Sequence, residues 1–209
     1  MIRTEHNSAD FAFPFVEYSP KNKRENMPVI IQLHGAGERG AGGDELSLVD
    51  VHGFSTIIKD REIDCIFIMP QCPENEFWAG RTESVIRFVK QITEAYRIDK
   101  NRIYLTGLSM GGYGTWFAAM LCPELFAAIA PVCGGGMAWC APVLDMPVWA
   151  FHGDADQTVS VTQSREMVEK LKSRGKNVKY TEFKNEGHDI ARLSFADELL
   201  EWLLSQSRN

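Results

Sequence analysis

The stretch Arg102-Ile103-Tyr104-Leu105-Thr106-Gly107-Leu108-Ser109-Met110-Gly111-Gly112-Tyr113 decides how the chain is read. It opens as an apolar, partly β-branched run. It turns through Gly107–Gly111 and continues as Tyr113–Leu121, rich in small and large apolar residues, which reads as a helix. A strand, a tight turn with Ser109 at its apex and a helix form the context that G-x-S-x-G requires. A Cβ at position 107 or 111 would keep strand and helix apart, which explains the glycines. The strained turn lifts the serine hydroxyl above the sheet, at a helix N-terminus whose amides can stabilise an anion. The pentapeptide by itself equally describes a Gly-rich turn with a solvated serine; the flanking strand and helix separate the two.

Apolar runs recur on either side. Val29–Leu33 ends in His34-Gly35-Ala36-Gly37; Cys65–Met69 is closed by Pro70; Ala127–Val132 leads to Cys133-Gly134-Gly135-Gly136; Pro147–Phe151 ends in His152-Gly153-Asp154; Val178–Phe183 is the last. Phe11–Tyr18 reads as an edge strand that tolerates Pro14. Between the strands lie helical patterns: a segment ending at Ile58 that includes His52, a stripe of Val85, Phe88, Val89, Ile92 and Tyr96, a helix opened by a Ser160-x-x-Gln163 capping box, and a closing helix over Leu193–Leu204. Strands that are continuous apolar runs, alternating with helices, predict a mostly parallel sheet with helices on both faces. No composition shift divides the chain, so residues 1–209 are expected to form one domain, with no insertion long enough for a lid. The segments rich in Gly, His and Asp all fall at carboxyl ends of strands, where open sheets of this class bind ligands.

A net charge of −6 and a pI near 5.4 argue against a nucleic-acid partner. No apolar run reaches the ~18 residues of a membrane span, and the polar start, Met1–Ser8, lacks the apolar core of a signal peptide, so a cytoplasmic location is expected. The five cysteines show neither C-x-x-C nor zinc-finger spacing. They read as buried thiols, with a Cys133–Cys140 bridge as the alternative, and no metal or organic cofactor is expected.

A serine hydroxyl needs a base, and a histidine base needs a carboxylate to hold its tautomer. Of the five histidines, His6 lies in the polar N-terminus and His52 in a helical pattern. His34 and His152 end strands, where the usual role is to orient loops. His188, in Asn185-Glu186-Gly187-His188-Asp189 after the last strand, is best placed as the base. For the acid, Asp156 is favoured over Asp154, which follows Gly153 and suits a turn; Asp154 remains the alternative by position. The order Ser109, Asp156, His188 differs from that of the chymotrypsin and subtilisin proteases. An oxyanion needs donors. The amide of Met110 and that of Ala36, in His34–Gly37, are the candidates.

With these motifs the chain resembles the α/β-hydrolase esterases, a group that includes phospholipase/carboxylesterase-like, dienelactone-hydrolase-like and prolyl-oligopeptidase-like enzymes. The matching residues are Leu33–Gly40, Gly107–Trp116, Pro131–Gly136, Pro147–Val159 and Glu186–Asp189. The resemblance implies an α/β-hydrolase fold, a triad of Ser109, Asp156 and His188, and an oxyanion hole at Ala36 and Met110. Its H-G-x-x-D-x-x-V pattern falls on His152, Gly153, Asp156 and Val159 and so selects Asp156. The chain departs from the group after the histidine, where a Trp is common and Asp189-Ile190-Ala191-Arg192 stands here.

The implied activity is a serine hydrolase cleaving small carboxylic esters through an acyl-enzyme, with a rate that falls as His188 protonates. Trp78, Met137 and Trp139, with Phe77 nearby, are expected to line an open pocket suited to short acyl, aryl (feruloyl-like) or acetylated-sugar esters. A small peptidase, a thioesterase or acyltransferase, and a non-catalytic binding module on the same fold are the competing readings. A homo-oligomer is compatible with the sequence.

Overall fold

The computed structural model describes residues 1–208. Eight strands form one sheet: β1 (Ile2–His6), β2 (Phe15–Ser19), β3 (Val29–Leu33), β4 (Ile66–Pro70), β5 (Ile103–Leu108), β6 (Ala128–Val132), β7 (Val148–Gly153) and β8 (Val178–Phe183). Their spatial order is β1-β2-β4-β3-β5-β6-β7-β8. β1 and β2 are antiparallel to each other, and β2 to β4; every other pairing is parallel.

Every residue of β3, β4, β5, β6 and β7 is buried, which is why these strands read as unbroken apolar runs. Alternate residues serve opposite faces. Val29, Ile31 and Leu33 pack toward α2 (Thr82–Ala95), α3 (Met110–Leu121) and α4 (Thr162–Ser173). Ile30 packs with α1 (Ser55–Ile58), α5 (Ala191–Ser194) and α6 (Asp197–Ser205) on the other face. The α2 stripe behaves as its spacing requires: Val85, Phe88, Val89 and Ile92 are buried, and Phe88 meets Phe15 edge-on at 5.4 Å. Fully burying a ring such as Phe88 stabilises the fold by ~2–3 kcal/mol.

Several elements differ from the sequence expectation. The expected Phe11–Tyr18 strand is confined to Phe15–Ser19, and it is second from the edge. β1 takes the edge, although Arg3, Thr4 and Glu5 gave no strand signal. Backbone pairing suffices there, because an exposed edge strand has no face to bury. The buried carboxylate of Glu17 on β2 is reached by Lys23 Nζ at 2.5 Å and the Tyr96 hydroxyl at 2.8 Å.

The segment before Ile58 is a 3-10 turn, Gly43–Asp50, followed by the short α1. The break falls at His52-Gly53. Gly53 has φ +93°, and the Gln32 side chain occupies the space of its missing Cβ. Gln32 Nε2 donates to the His52 carbonyl at 3.0 Å, and its Oε1 accepts from Phe54 N at 2.7 Å.

The closing helix is split into α5 and α6. Phe195, between them, is buried edge-on against Phe54 at 5.3 Å. The capping box does not close: the Thr162 amide reaches Ser160 Oγ at a long 3.4 Å, and the Gln163 side chain lies against Gly135. All five cysteines are free, so Cys133 and Cys140 do not pair.

The sheet, α3 and the turn between them meet at glycines. A Cβ on Gly111 would stand 1.9 Å from the Leu33 carbonyl oxygen, and one on Gly107 would stand 2.4 Å from that of Gly111. Both obstacles are backbone and cannot swing away. Gly111→Ala should therefore destabilise the fold by about 3 kcal/mol or more in urea unfolding, whereas Gly37→Ala, with nothing within 4 Å, should stay within about 0.5 kcal/mol.

Candidate active site

Ser109 sits between the end of β5 and the first residue of α3, with φ +56° and ψ −114°. A non-glycine residue holds this left-handed conformation only where its surroundings over-determine it, at about 1–3 kcal/mol. Here they do. Its amide donates to the Val132 carbonyl at 2.8 Å, and its carbonyl accepts from Tyr113 N at 3.0 Å. Gly107 and Gly111 let β3 and α3 close in from either side. The side chain then has one direction left, up and out of the sheet.

That direction leads to His188. Its Nε2 lies 2.8 Å from Ser109 Oγ, and its Nδ1 lies 2.6 Å from Asp156 Oδ2. Nδ1 therefore carries the proton and Nε2 faces the serine as an acceptor, a tautomer assigned by the carboxylate. The Asp156 side chain is fully buried while that of His188 is 27% exposed. Burial pushes the Asp156 carboxyl up. The hydrogen bonds from His188, Val159 N at 2.9 Å and Thr158 N at 2.8 Å outweigh it and hold the group below the usual carboxylate range. Asp154, the positional alternative, instead caps the loop: its Oδ1 accepts from Asn185 N at 2.7 Å.

Met110 opens α3 and Ala36 opens a 3-10 turn, Ala36–Glu38. Amides in a first helical turn have no partner within their own helix and are free for an anion. His34 braces the Ala36 side. Its Nδ1–H donates to the Gly35 carbonyl at 2.6 Å and its Nε2 accepts from Cys72 N at 2.8 Å. Burial pushes its pKa down to about 4, so the ring is neutral.

The three expected pocket residues fare differently. Trp78 is fully buried and offers no surface to a substrate. Its Nε1–H donates to the His34 carbonyl at 3.0 Å, and its Cβ fills the slot left by Gly114. It is a plug in the core beneath the His34 loop. Met137 lines a cavity of about 660 Å³ with Phe117, Met120, Cys140, Arg81 and Glu83, and none of Ser109, Asp156 and His188 is among its walls. Trp139 stands 73% exposed and is not among the residues that line it. Phe77, also exposed, lies under the Arg39 guanidinium at 5.0 Å.

Other neighbours had no signature in the sequence. Glu38 is buried with Oε1 on His52 Nδ1 at 3.0 Å, tying the Ala36 turn to the residues before α1. Tyr113, one turn along α3 from Ser109, is half-buried, and burial and the Asp156 charge push its hydroxyl pKa up. The Cys133 thiol lies beneath the triad, pushed up to about 12 by burial. One Cys133, Asp156 and His188 donor atom apiece lie within 4.8 Å of one another, the one such trio among the described residues. The Asp156 lone pairs in this trio are already taken by hydrogen bonds. A cleft of about 390 Å³ opens beside Asp189, Arg192, His52 and Thr56.

Residues 14–141 match the family model described as esterase PHB depolymerase, and residues 137–208 match that of the prolyl oligopeptidase family. The bifunctional acetylxylan esterase/xylanase XynS20E of Neocallimastix patriciarum is 28% identical over 152 residues, covering 70% of this chain and 22% of that protein. Poly(3-hydroxyalkanoate) depolymerase C of Paucimonas lemoignei is 25% identical, covering 57% and 30%. The chain thus spans less than a third of the length of either. Among solved structures, a thermostable esterase superposes with a TM-score of 0.80 at 34% identity, covering 99% of this chain and 63% of that one.

The neutral, buried His34 gives a pH signature. Its folded pKa lies below the unfolded value of ~6.5, so between about pH 6.5 and 4 the unfolded chain binds more protons and stability falls as pH falls. Urea unfolding across this window should show a loss of about 3 kcal/mol from this group, and His34→Gln should flatten the slope by about that amount. Equal slopes in both proteins would contradict the assignment.

Proposed function

The chain belongs to the esterase PHB depolymerase family, and from that premise we propose that it is a serine hydrolase of small carboxylic esters, with Ser109 as nucleophile, His188 as base and Asp156 as the orienting acid. The observation that carries the reading is the continuous line Ser109 Oγ, His188 Nε2, His188 Nδ1, Asp156 Oδ2, with contacts of 2.8 Å and 2.6 Å, at the apex of a strained turn.

In this reading Ser109 attacks the acyl carbon as His188 Nε2 takes its proton. Asp156, ionised because its hydrogen bonds outweigh its burial, stabilises the imidazolium. The Met110 and Ala36 amides receive the oxyanion. The imidazolium returns the proton to the departing alcohol. Water, deprotonated by the same nitrogen, then releases the acid and regenerates the serine. The proposed substrates are short acyl, aryl or acetylated-sugar esters.

A peptidase is the second reading, favoured by the match of residues 137–208 to the prolyl oligopeptidase family. Ester and amide cleavage share the same machinery, so the two differ in leaving group alone. Parallel assays on a short aryl acetate, an acetylated xylooligosaccharide and an aminoacyl anilide should give turnover on the esters well above that on the anilide. Ser109→Ala should lower ester turnover by roughly 10⁵ with the thermal transition intact. Turnover retained by that variant would defeat the assignment, and preference for the anilide would move it to the peptidase.

A further inference from the structure

Asp156 is served by more than the triad. An ionised carboxylate has about four lone-pair positions. Oδ1 accepts the amides of Thr158 at 2.8 Å and Val159 at 2.9 Å. Oδ2 accepts His188 Nδ1 at 2.6 Å and lies 3.2 Å from a second imidazole nitrogen, Nε2 of His152. His152 is the last-but-one residue of β7, and its side chain is fully buried.

The protons of His152 follow from its neighbours. Its Nε2 faces the Val159 carbonyl at 3.0 Å as well as Asp156 Oδ2, and both are acceptors only. A bare Nε2 would put three lone-pair groups face to face in a buried site. Its Nδ1 faces Ser164 Oγ on α4 at 2.7 Å, and a hydroxyl can donate or accept. We propose that His152 is a positioning residue for the acid: its Nε2 carries a proton shared between the Val159 carbonyl and Asp156 Oδ2, which fixes the carboxylate in the plane that meets His188. The proposal rests on the reading of Asp156 as the triad acid.

The Ser164 hydroxyl makes this arrangement attainable without a buried cation. Burial pushes the His152 pKa down, against the hydrogen bond to Val159 and the Asp156 charge, so the ring is neutral. A neutral ring with Nε2 protonated has a bare Nδ1, and Ser164 turns its hydroxyl proton to it. The Gly134 carbonyl, 2.9 Å from the same Oγ, then gives up that donor. The remaining titratable groups around the pair stay fixed near neutrality. Glu182, paired with His152 across β7 and β8, is held ionised by Arg165. Burial keeps Cys133 and Tyr113 protonated. Only His188 changes its proton during turnover, and His152 holds the carboxylate still while it does.

Two measurements test this. Long-range proton–nitrogen NMR of the wild-type protein with isotope-labelled histidine reads the proton positions directly, and needs no variant to fold. A proton on His152 Nε2 is expected; a bare Nε2 overturns the proposal. Kinetics supply the second. His152→Leu should lower kcat about tenfold with KM unchanged, the scale of one buried hydrogen bond. His152→Gln, whose amide can still donate toward Asp156, should recover most of that loss. A folded His152→Leu with wild-type kcat, or a His152→Gln no better than His152→Leu, overturns the positioning role. Asp156→Asn separates the two levels. If it is inactive while His152→Leu is normal, this inference alone fails. If it is fully active, the triad reading fails and takes the inference with it.

Discussion

The Leu33 carbonyl oxygen lies where a side chain on residue 111 would begin. That contact, backbone against backbone, sets how closely α3 approaches β3, and much of the site follows from it. It brings the first turn of α3 against the residues that close β3, Leu33 and His34. It also leaves Ser109 no relaxed backbone to adopt. Gly112 against the Val132 carbonyl and Gly134 against Tyr113 N repeat the same close fit one strand further along. A run of glycines is ordinarily a source of flexibility. Here each missing Cβ is filled by another segment, and the result is a rigid seam.

Around this seam the histidines are sorted by their neighbours. Three histidines near the site have different partners. His34 is clamped between an acceptor and a donor and is neutral by burial. His188 is aimed by a carboxylate and left part-exposed. His152 is sealed between a hydroxyl, a carbonyl and that same carboxylate. The identity of the side chain says little about its role. Which acceptors surround each nitrogen, and whether water can reach it, decides what it can do.

The parts of the molecule legible in the sequence were those whose physics is local. The β5–turn–α3 unit is written in twelve consecutive residues, and the α2 stripe in its own spacing. The parallel sheet follows from strands too apolar to have a wet face. Ser109, Asp156 and His188 each sit in a motif that follows a strand, and they lie within hydrogen-bond reach of one another. What was illegible depends on contacts between distant segments. Trp78 in a loop reads as a pocket wall, and only the empty slot at Gly114, 36 residues on, makes it a core plug. The Glu38–His52 pair spans a turn whose shape is set by Gln32 on β3. β1 had no pattern to read, because an exposed polar strand is selected by an available neighbour.

That same strand bears on how the protein behaves in a crowded solution. A sheet with two open edges invites another chain to extend it. β1 closes one end with Arg3 and Glu5 pointing outward, both engaged in ion pairs. β8 closes the other with Lys179 and Glu182, paired to Glu198 and Arg165. Charged side chains at both rims disfavour growth of the sheet by strand addition.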